Sequence, residues 1–336
     1  MARRRKVISM KNSLQFCLFC VYSLLFITTP QTFAENPLFP DKPIKVIVPQ
    51  PPGGGFDFVG RVMSDKLSST IGQALVVDNK IGSGTLIGTD FVAKASADGY
   101  TVLVGSVSNI VMNSGLYKNL PYDPIKDFEP IGLSVSYSYT LVGRKDLPFK
   151  TLKELIQYAK DNPNKLSYAS SGNGSGQHVL AAALWHNTGV QLMHIPYRGA
   201  QAAYTDILGG RVDLFFDIAP TAKPHVEAGS LIALATSGAQ RNPNHPNVPT
   251  IIETGVDNLS LESWFGFFAP SKTPKDVLDK WRIEFQKAAT TPEVRDRFEK
   301  AGGKPISPNL IETKLMIKND TDRWVKLIKD ANIKSD

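Results

Sequence analysis

The sequence of 336 residues predicts an α/β fold of two domains, and three observations carry that reading. The run Ile44 to Arg61, IKVIVPQPPGGGFDFVGR, passes from an apolar β-rich stretch through two prolines and three glycines into helical periodicity. That is a strand, a tight loop and a helix start. Strand-like and helix-like segments then alternate in two successive series, the pattern of parallel strands joined by right-handed helical crossovers. Finally, roughly 300 residues remain beyond the N-terminal leader, more than one hydrophobic core usually organises.

The elements follow in order. After the first strand, Val59, Met63, Leu67 and Ile71 recur every fourth residue and predict an amphipathic helix over Phe56 to Ile71. Ala74 to Val77 reads as a strand, Gly82-Ser83-Gly84 as a turn, Thr85 to Ala95 as a helix and Thr101 to Gly105 as a third strand. A stretch holding Pro121, Pro124 and Pro130 leads to the β-like run Ile131 to Val142, where the first crossing between domains is expected. Thr151 and Glu154 have capping-box spacing ahead of a helix over Leu152 to Lys160. Strands at Leu166 to Ser170, Leu192 to Ile195, Val212 to Phe216 and Leu231 to Ala235 alternate with helices at Gln177 to Asn187 and Ala200 to Leu208. Pro243, Pro246 and Pro249 mark a return linker. A strand near Trp264 to Phe268 and helices near 275–290, 292–300 and 308–333 complete the first domain. The expected division is residues 1–34 as leader, 35–138 with 251–336 as domain 1, and 139–250 as domain 2.

The leader itself reads as a Sec-type signal peptide. Arg3, Arg4, Arg5, Lys6 and Lys11 precede an apolar segment from Leu14 to Ile27, and Thr32 and Ala34 are small enough for signal peptidase, so cleavage is expected near Glu35. The apolar run is short for a membrane span. Both cysteines, Cys17 and Cys20, lie within it, so no disulfide or thiolate metal site is expected in the mature chain. Removing the five leader cations from a formal charge of +7 leaves +2. The remaining Lys and Arg are interspersed with acids, which argues against nucleic acid as a partner. The expected product is an exported protein.

Ligands of open α/β sheets bind at the carboxyl ends of strands, and the loops there are unusually rich in glycine and small polar residues. Gly53, Gly54 and Gly55 at a helix N-terminus leave backbone N–H groups free at the positive end of the helix dipole, which suits an anion. The others are Gly82 to Gly88, including Gly84 and Thr85; Ser106 to Asn109, including Ser108; Ser171-Gly172-Asn173-Gly174-Ser175, running on to His178; Tyr197-Arg198-Gly199; and Asp217 to Pro220. Several such loops split between two domains predict a cleft lined by backbone donors and hydroxyls. Arg198 is the clearest cation for a carboxylate, since its planar fork engages both oxygens. Asp57 admits two readings: it caps free N–H groups at the helix start, or it faces the cleft beside Phe56 and recruits an ammonium or hydroxyl group.

Enzymatic motifs are missing. Ile87 stands where a dinucleotide fingerprint needs its third glycine, no lysine follows a glycine loop as in a Walker A motif, and Ser175 lacks the spacing of a nucleophile elbow. His178 and His194 have no metal-ligand partner three or four residues away. The rival to a binding role is an exported hydrolase or transferase using His178 or Asp217, and a receptor serving a membrane kinase is a third reading.

KPIKVIVPQPPGGGFD at Lys42 to Asp57, VVDNKIGSGTLIG at Val76 to Gly88, DGYTVLVG at Asp98 to Gly105, LYKNLPYDPIKDFEPIGL at Leu116 to Leu133, HIPYRG at His194 to Gly199, DILGGRVDLFFD at Asp206 to Asp217 and VPTIIETG at Val248 to Gly255 together resemble the substrate-binding proteins of tripartite tricarboxylate transporters, the Bug-type receptors. The resemblance covers nearly the whole mature chain. It implies a two-lobed periplasmic-binding-protein fold, type II-like, with two inter-domain crossings and one small organic anion bound between the lobes. It implies further that backbone amides and ordered water from Gly54 to Asp57 and from Ser171 to His178 hold the ligand carboxylate, with Ser106 to Asn109 and Arg198-Gly199 lining the cleft. No cofactor or metal is implied; the partners would be a carboxylate ligand and membrane permease subunits, and a monomer is expected. Thr85 after Gly84, Gln50 and the bulky Phe56 depart from the usual pattern and bear on the size and second end group of the ligand.

Overall fold

A computed structural model describes residues 39–334; the expected leader, with Cys17 and Cys20, lies outside the described residues. Strand β1 (Ile44–Val48) leads into helix α1 (Gly55–Ile71), then β2 (Leu75–Asn79), α2 (Leu86–Ala93) and β3 (Thr101–Ser106). A π-helical segment, Val107–Met112, runs directly into the short α3 (Asn113–Leu116). The long β4 (Phe128–Arg144) follows. The second series is α4 (Leu152–Asp161), β5 (Ser167–Ser170), α5 (Gly176–Thr188), β6 (Met193–Pro196), α6 (Ala200–Leu208), β7 (Leu214–Ile218), α7 (Ala219–Glu227) and β8 (Leu231–Thr236). After α8 (Ile251–Thr254) come β9 (Glu262–Pro270), α9 (Lys275–Ala289), α10 (Pro292–Lys300), β10 (Lys304–Pro305) and α11 (Leu310–Asp330). Among the described residues no helix is long and apolar enough to cross a membrane.

The fold is α/β and two-lobed, and β4 is the element the lobes share. Up to Ser138 it pairs antiparallel with β9, and from Tyr139 onward it pairs with β7 and β8. The first lobe carries the order β2-β1-β3-β9-β4, the second continues β4-β7-β5-β6. The chain returns between β8 and β9. The wholly parallel sheets implied by the alternation are therefore only partly present. β1 is parallel to β2 and β3, and β5 to β6 and β7, but β9 and β4 enter antiparallel to their neighbours. Alternation cannot reveal this, because β9 is added from a distant stretch of sequence.

Each lobe buries its own apolar set. In the first, Val46, Ile47, Val59, Met63 and Leu67 are fully buried, so α1 lays the face predicted by its periodicity onto the sheet. Trp264, Phe265, Phe267 and Phe268 are core residues there. In the second, Val142, Ala169, Ala203, Tyr204, Ile207, Phe215 and Leu231 form one cluster under α6 and α7. The predicted capping box closes α4: Glu154 N–H donates to Thr151 Oγ1 at 3.2 Å and Thr151 N–H to Glu154 Oε2 at 3.0 Å.

Helix α7 was not foreseen after Asp217. Pro220 sits in its first turn, where a missing N–H costs nothing, but Pro224 lies inside it and reads from sequence as a breaker. The stretch Ser106 to Asn109 is likewise a capped helix start, with Ser108 N–H donating to Ser106 Oγ at 3.1 Å and Ser106 N–H to Asn109 Oδ1 at 2.8 Å.

Candidate ligand-binding site

The glycine-rich loops of the two lobes meet over β4. Gly84, at φ +70°, approaches so near the second lobe that a Cβ there would stand 2.5 Å from the carbonyl oxygen of Asn173. Only glycine satisfies both the left-handed backbone and that approach. Gly176 N–H, at the start of α5, donates to Ser108 Oγ at 3.0 Å, and a Cβ on Gly176 would collide with the Tyr139 hydroxyl. Gln201 Nε2 of α6 donates to the Gly53 carbonyl at 3.1 Å.

Beside these contacts opens a cavity of about 830 Å³ lined by Gly84 and its neighbours, by Ser171, Gly172 and Asn173, and by Pro196 to Gly199. Its size is that of a small-molecule pocket. Of the sequence-predicted residues, Gly84, Ser171, Gly172, Asn173, Arg198 and Gly199 line it. Arg198 is exposed and has no ion-pair partner among the described residues, and it is the one charged side chain of the lining. The sequence reading passed over Ile81, Leu86, Ile87 and Tyr117 as ligand-facing groups. Isoleucines look like core positions, and the signal that could have found them is that Ile81 directly precedes the Gly82 to Gly88 loop and Ile87 stands within it.

The remaining candidates stand behind this lining. Asp57, 5% exposed, is fully engaged: Gly53 N–H donates to Oδ2 at 3.0 Å, Arg61 Nε reaches both oxygens at 3.0 Å and Asn79 Nδ2 reaches Oδ1 at 3.0 Å. Burial opposes its charge, but the hydrogen bonds from Arg61, Gly53 and Asn79 win and hold its carboxyl below the usual range. Asp57 thereby braces the turn at Gly53 that leads into α1. Gly54 is the N-cap of α1, with Gly55 and the buried Phe56 next in its first turn; the Phe56 ring meets Phe265 edge-on at 5.2 Å.

Thr85 and Asn109 belong to a buried polar network. Asn113 Nδ2 donates to Thr85 Oγ1 at 3.2 Å and to the Tyr122 hydroxyl at 2.7 Å, while Asn109 Nδ2 donates to Thr89 Oγ1 at 3.0 Å. Thus Thr85 turns its hydroxyl inward, away from the cavity, and ties the start of α2 to α3, while Asn109 ties α2 to the π-helical segment.

In the second lobe Ser175 caps α5, accepting from His178 N–H at 3.3 Å, and His178 Nδ1 accepts from Gly174 N–H at 3.2 Å. Nδ1 is therefore the unprotonated nitrogen of a neutral ring. The ring stacks on His194 at 4.1 Å and 7°, and His194 Nε2 pairs with Ser170 Oγ at 2.7 Å. Burial holds His178 down to about 4; burial and the neighbouring ring hold His194 down to about 3. Asp217 is 1% exposed and takes hydrogen bonds from Ile218 N–H, Thr221 and Gln177 Nε2. Burial nevertheless pushes its carboxyl up to about 6. Gln177 Nε2 also donates to Ser171 Oγ at 3.0 Å, so Asp217 reaches the lining only through Gln177. Neither His178 nor Asp217 forms part of a nucleophile and base pair here. Among the described residues no cluster of His, Cys, Asp or Glu could hold a metal ion.

Residues 59–333 match the family described as "Tripartite tricarboxylate transporter family receptor". The chain belongs to that family. A relative from Pseudomonas sp. strain P51, the UPF0065 protein of the tcbD-tcbE intergenic region, is 38% identical over 308 residues, 90% of this chain and 91% of the relative. Among solved structures, R. palustris Rpa4515 with adipate superposes at a TM-score of 0.84 with 31% identity, covering 88% of this chain and 99% of that one. The periplasmic binding protein BugD superposes at 0.83 with 34% identity, covering 88% and 100%. Like them, this family receptor is a solute-binding protein rather than an enzyme.

Proposed function

We propose that this receptor captures a small organic carboxylate in the periplasm, closes its two lobes over it, and delivers it to the membrane permease of a tripartite tricarboxylate transporter. The observation that carries the reading is the cavity of about 830 Å³ between glycine loops of both lobes, with Arg198 as its one charged lining residue. An anion gains there from the guanidinium and from free backbone donors, and meets no acid. A neighbour holding adipate supports the carboxylate class.

In this reading Gly84, Ser171, Gly172, Asn173, Arg198 and Gly199 touch the ligand. Ser106, Ser108, Gly174, Ser175 and His178 shape the loops that close on it. Residues 1–34 serve as the export signal, and the protein works as a monomer. The lobes divide first between Ser138 and Tyr139. The return crossing follows at 250/251. Closure works as a receptor mechanism because ligand binds the closed form more tightly and shifts the population toward it.

Thermal melting against a panel of mono-, di- and tricarboxylates, aromatic acids and amino acids tests this. An acid that binds the folded protein raises Tm in a concentration-dependent way. A panel that produces no shift contradicts the proposal. Vesicles carrying the permease would then accumulate the identified acid only with receptor present.

A further inference from the structure

The lining of the cleft mixes two kinds of surface: Arg198, Ser171 and Asn173 bring one charge and polar groups, while Ile81, Leu86, Ile87 and Tyr117 bring apolar area. Ile81 and Ile87 leave 50% and 53% of their surface exposed. Ile81 directly precedes the Gly82 loop and Ile87 stands in the first turn of α2, so neither is a scattered surface position. Apolar surface held open inside a concave site gains when a ligand covers it. The charge is single, and one guanidinium neutralises one carboxylate. A second carboxylate placed against the isoleucines would lose hydration without gaining a partner.

We infer that the ligand is an acid with one carboxylate end, held at Arg198 and the Ser171 to Asn173 loop, and an apolar body, an aromatic ring or an aliphatic chain, that lies against Ile81, Ile87 and Tyr117. The inference rests on the receptor reading and narrows it: short hydroxylated di- and tricarboxylates are the poorer ligands. Each methylene buried is worth roughly fourfold in affinity, so a six-carbon acid or a ring gains at least about tenfold over a polar acid of similar charge.

Titration calorimetry on the full exported protein with benzoate, hexanoate, malate and citrate tests it. Benzoate or hexanoate is expected to bind more tightly than malate and citrate, and which of the two wins tells ring from chain. Ile87→Asn and Ile81→Asn are expected to weaken the apolar acid about fivefold or more, with Tm unchanged because both positions are exposed. Arg198→Ala is expected to weaken all bound acids alike. Malate or citrate binding as tightly as the apolar acids overturns the inference and leaves the receptor reading standing. Wild-type affinity for the apolar acid in both isoleucine variants overturns it too. No binding of any of the four, together with a flat thermal panel, overturns both.

Discussion

The N–H of Gly176 donates to the hydroxyl of Ser108 at 3.0 Å, so the first turn of α5 in one lobe is fastened to the π-helical segment after β3 in the other. Both partners are buried. A hydrogen bond of this kind contributes about 0.5–1.5 kcal/mol, and because it spans the lobes it favours the closed form. Ser108→Ala is expected to weaken ligand binding by about two- to twelvefold while each lobe stays folded. Calorimetry with the identified acid measures it; unchanged affinity would show that the contact plays no part in closure.

Gly84 is the other inter-lobe contact with a sharp consequence. Gly84→Ala places a methyl 2.5 Å from the Asn173 carbonyl and forces alanine to φ +70°. The expected result is a protein that folds but closes poorly, with ligand affinity lower by tenfold or more and a larger radius of gyration by solution scattering in the presence of ligand. A variant with the wild-type radius and affinity would mean that the two loops move apart at little cost.

Asp57 holds the start of α1 through Gly53, Arg61 and Asn79. Asp57→Asn is expected to cost about 1–2 kcal/mol of stability, as loss of a helix-start acceptor does. It should weaken amino acids and dicarboxylates equally. Denaturant unfolding gives the first quantity and a ligand panel the second. A selective loss of amine-bearing ligands would place Asp57 in the cleft.

The stacked histidines make stability depend on pH. Their folded values, about 4 for His178 and about 3 for His194, lie below the ordinary value near 6.5, so the unfolded chain binds the protons more readily. Their contribution is complete above 6.5 and is lost as pH falls from there through about 4. Asp217 has the opposite sign. Its folded value of about 6 lies above 3.8, so its contribution is complete below 3.8 and lost as pH rises through about 6. The two histidines outweigh the single carboxylate. Tm is therefore expected to fall by a few degrees or more between pH 6.5 and 4.5. In a His178→Gln, His194→Phe variant that fall should shrink by more than half; an unaltered slope would remove the histidines as its cause.

Several of these relationships were legible before any coordinates. The capping box of α4, the buried stripe of α1 and the glycine loops all follow from local rules that a few adjacent residues satisfy by themselves. Among the loops read from the sequence, those at Gly84, at Ser171 to Asn173 and at Arg198-Gly199 line one cavity. What could not be read was set by distant sequence. A carboxylate three residues into a helix is equally suited to capping and to a cleft, and the bond that Asp57 takes from Asn79 comes from β2, which no local rule brings there. Asp217 ends a strand like a ligand group, yet α7, hidden by its prolines, covers it. Ile81 and Ile87 have the composition of core and the exposure of a binding wall.

The central claim is that this protein holds a carboxylic acid, and native mass spectrometry of the freshly exported protein tests it most directly. The account predicts a mass excess matching one small molecule per chain, released on denaturation as an organic acid. A stoichiometric passenger without a carboxylate, or a protein that emerges empty and stays empty when carboxylates are added back, would contradict it.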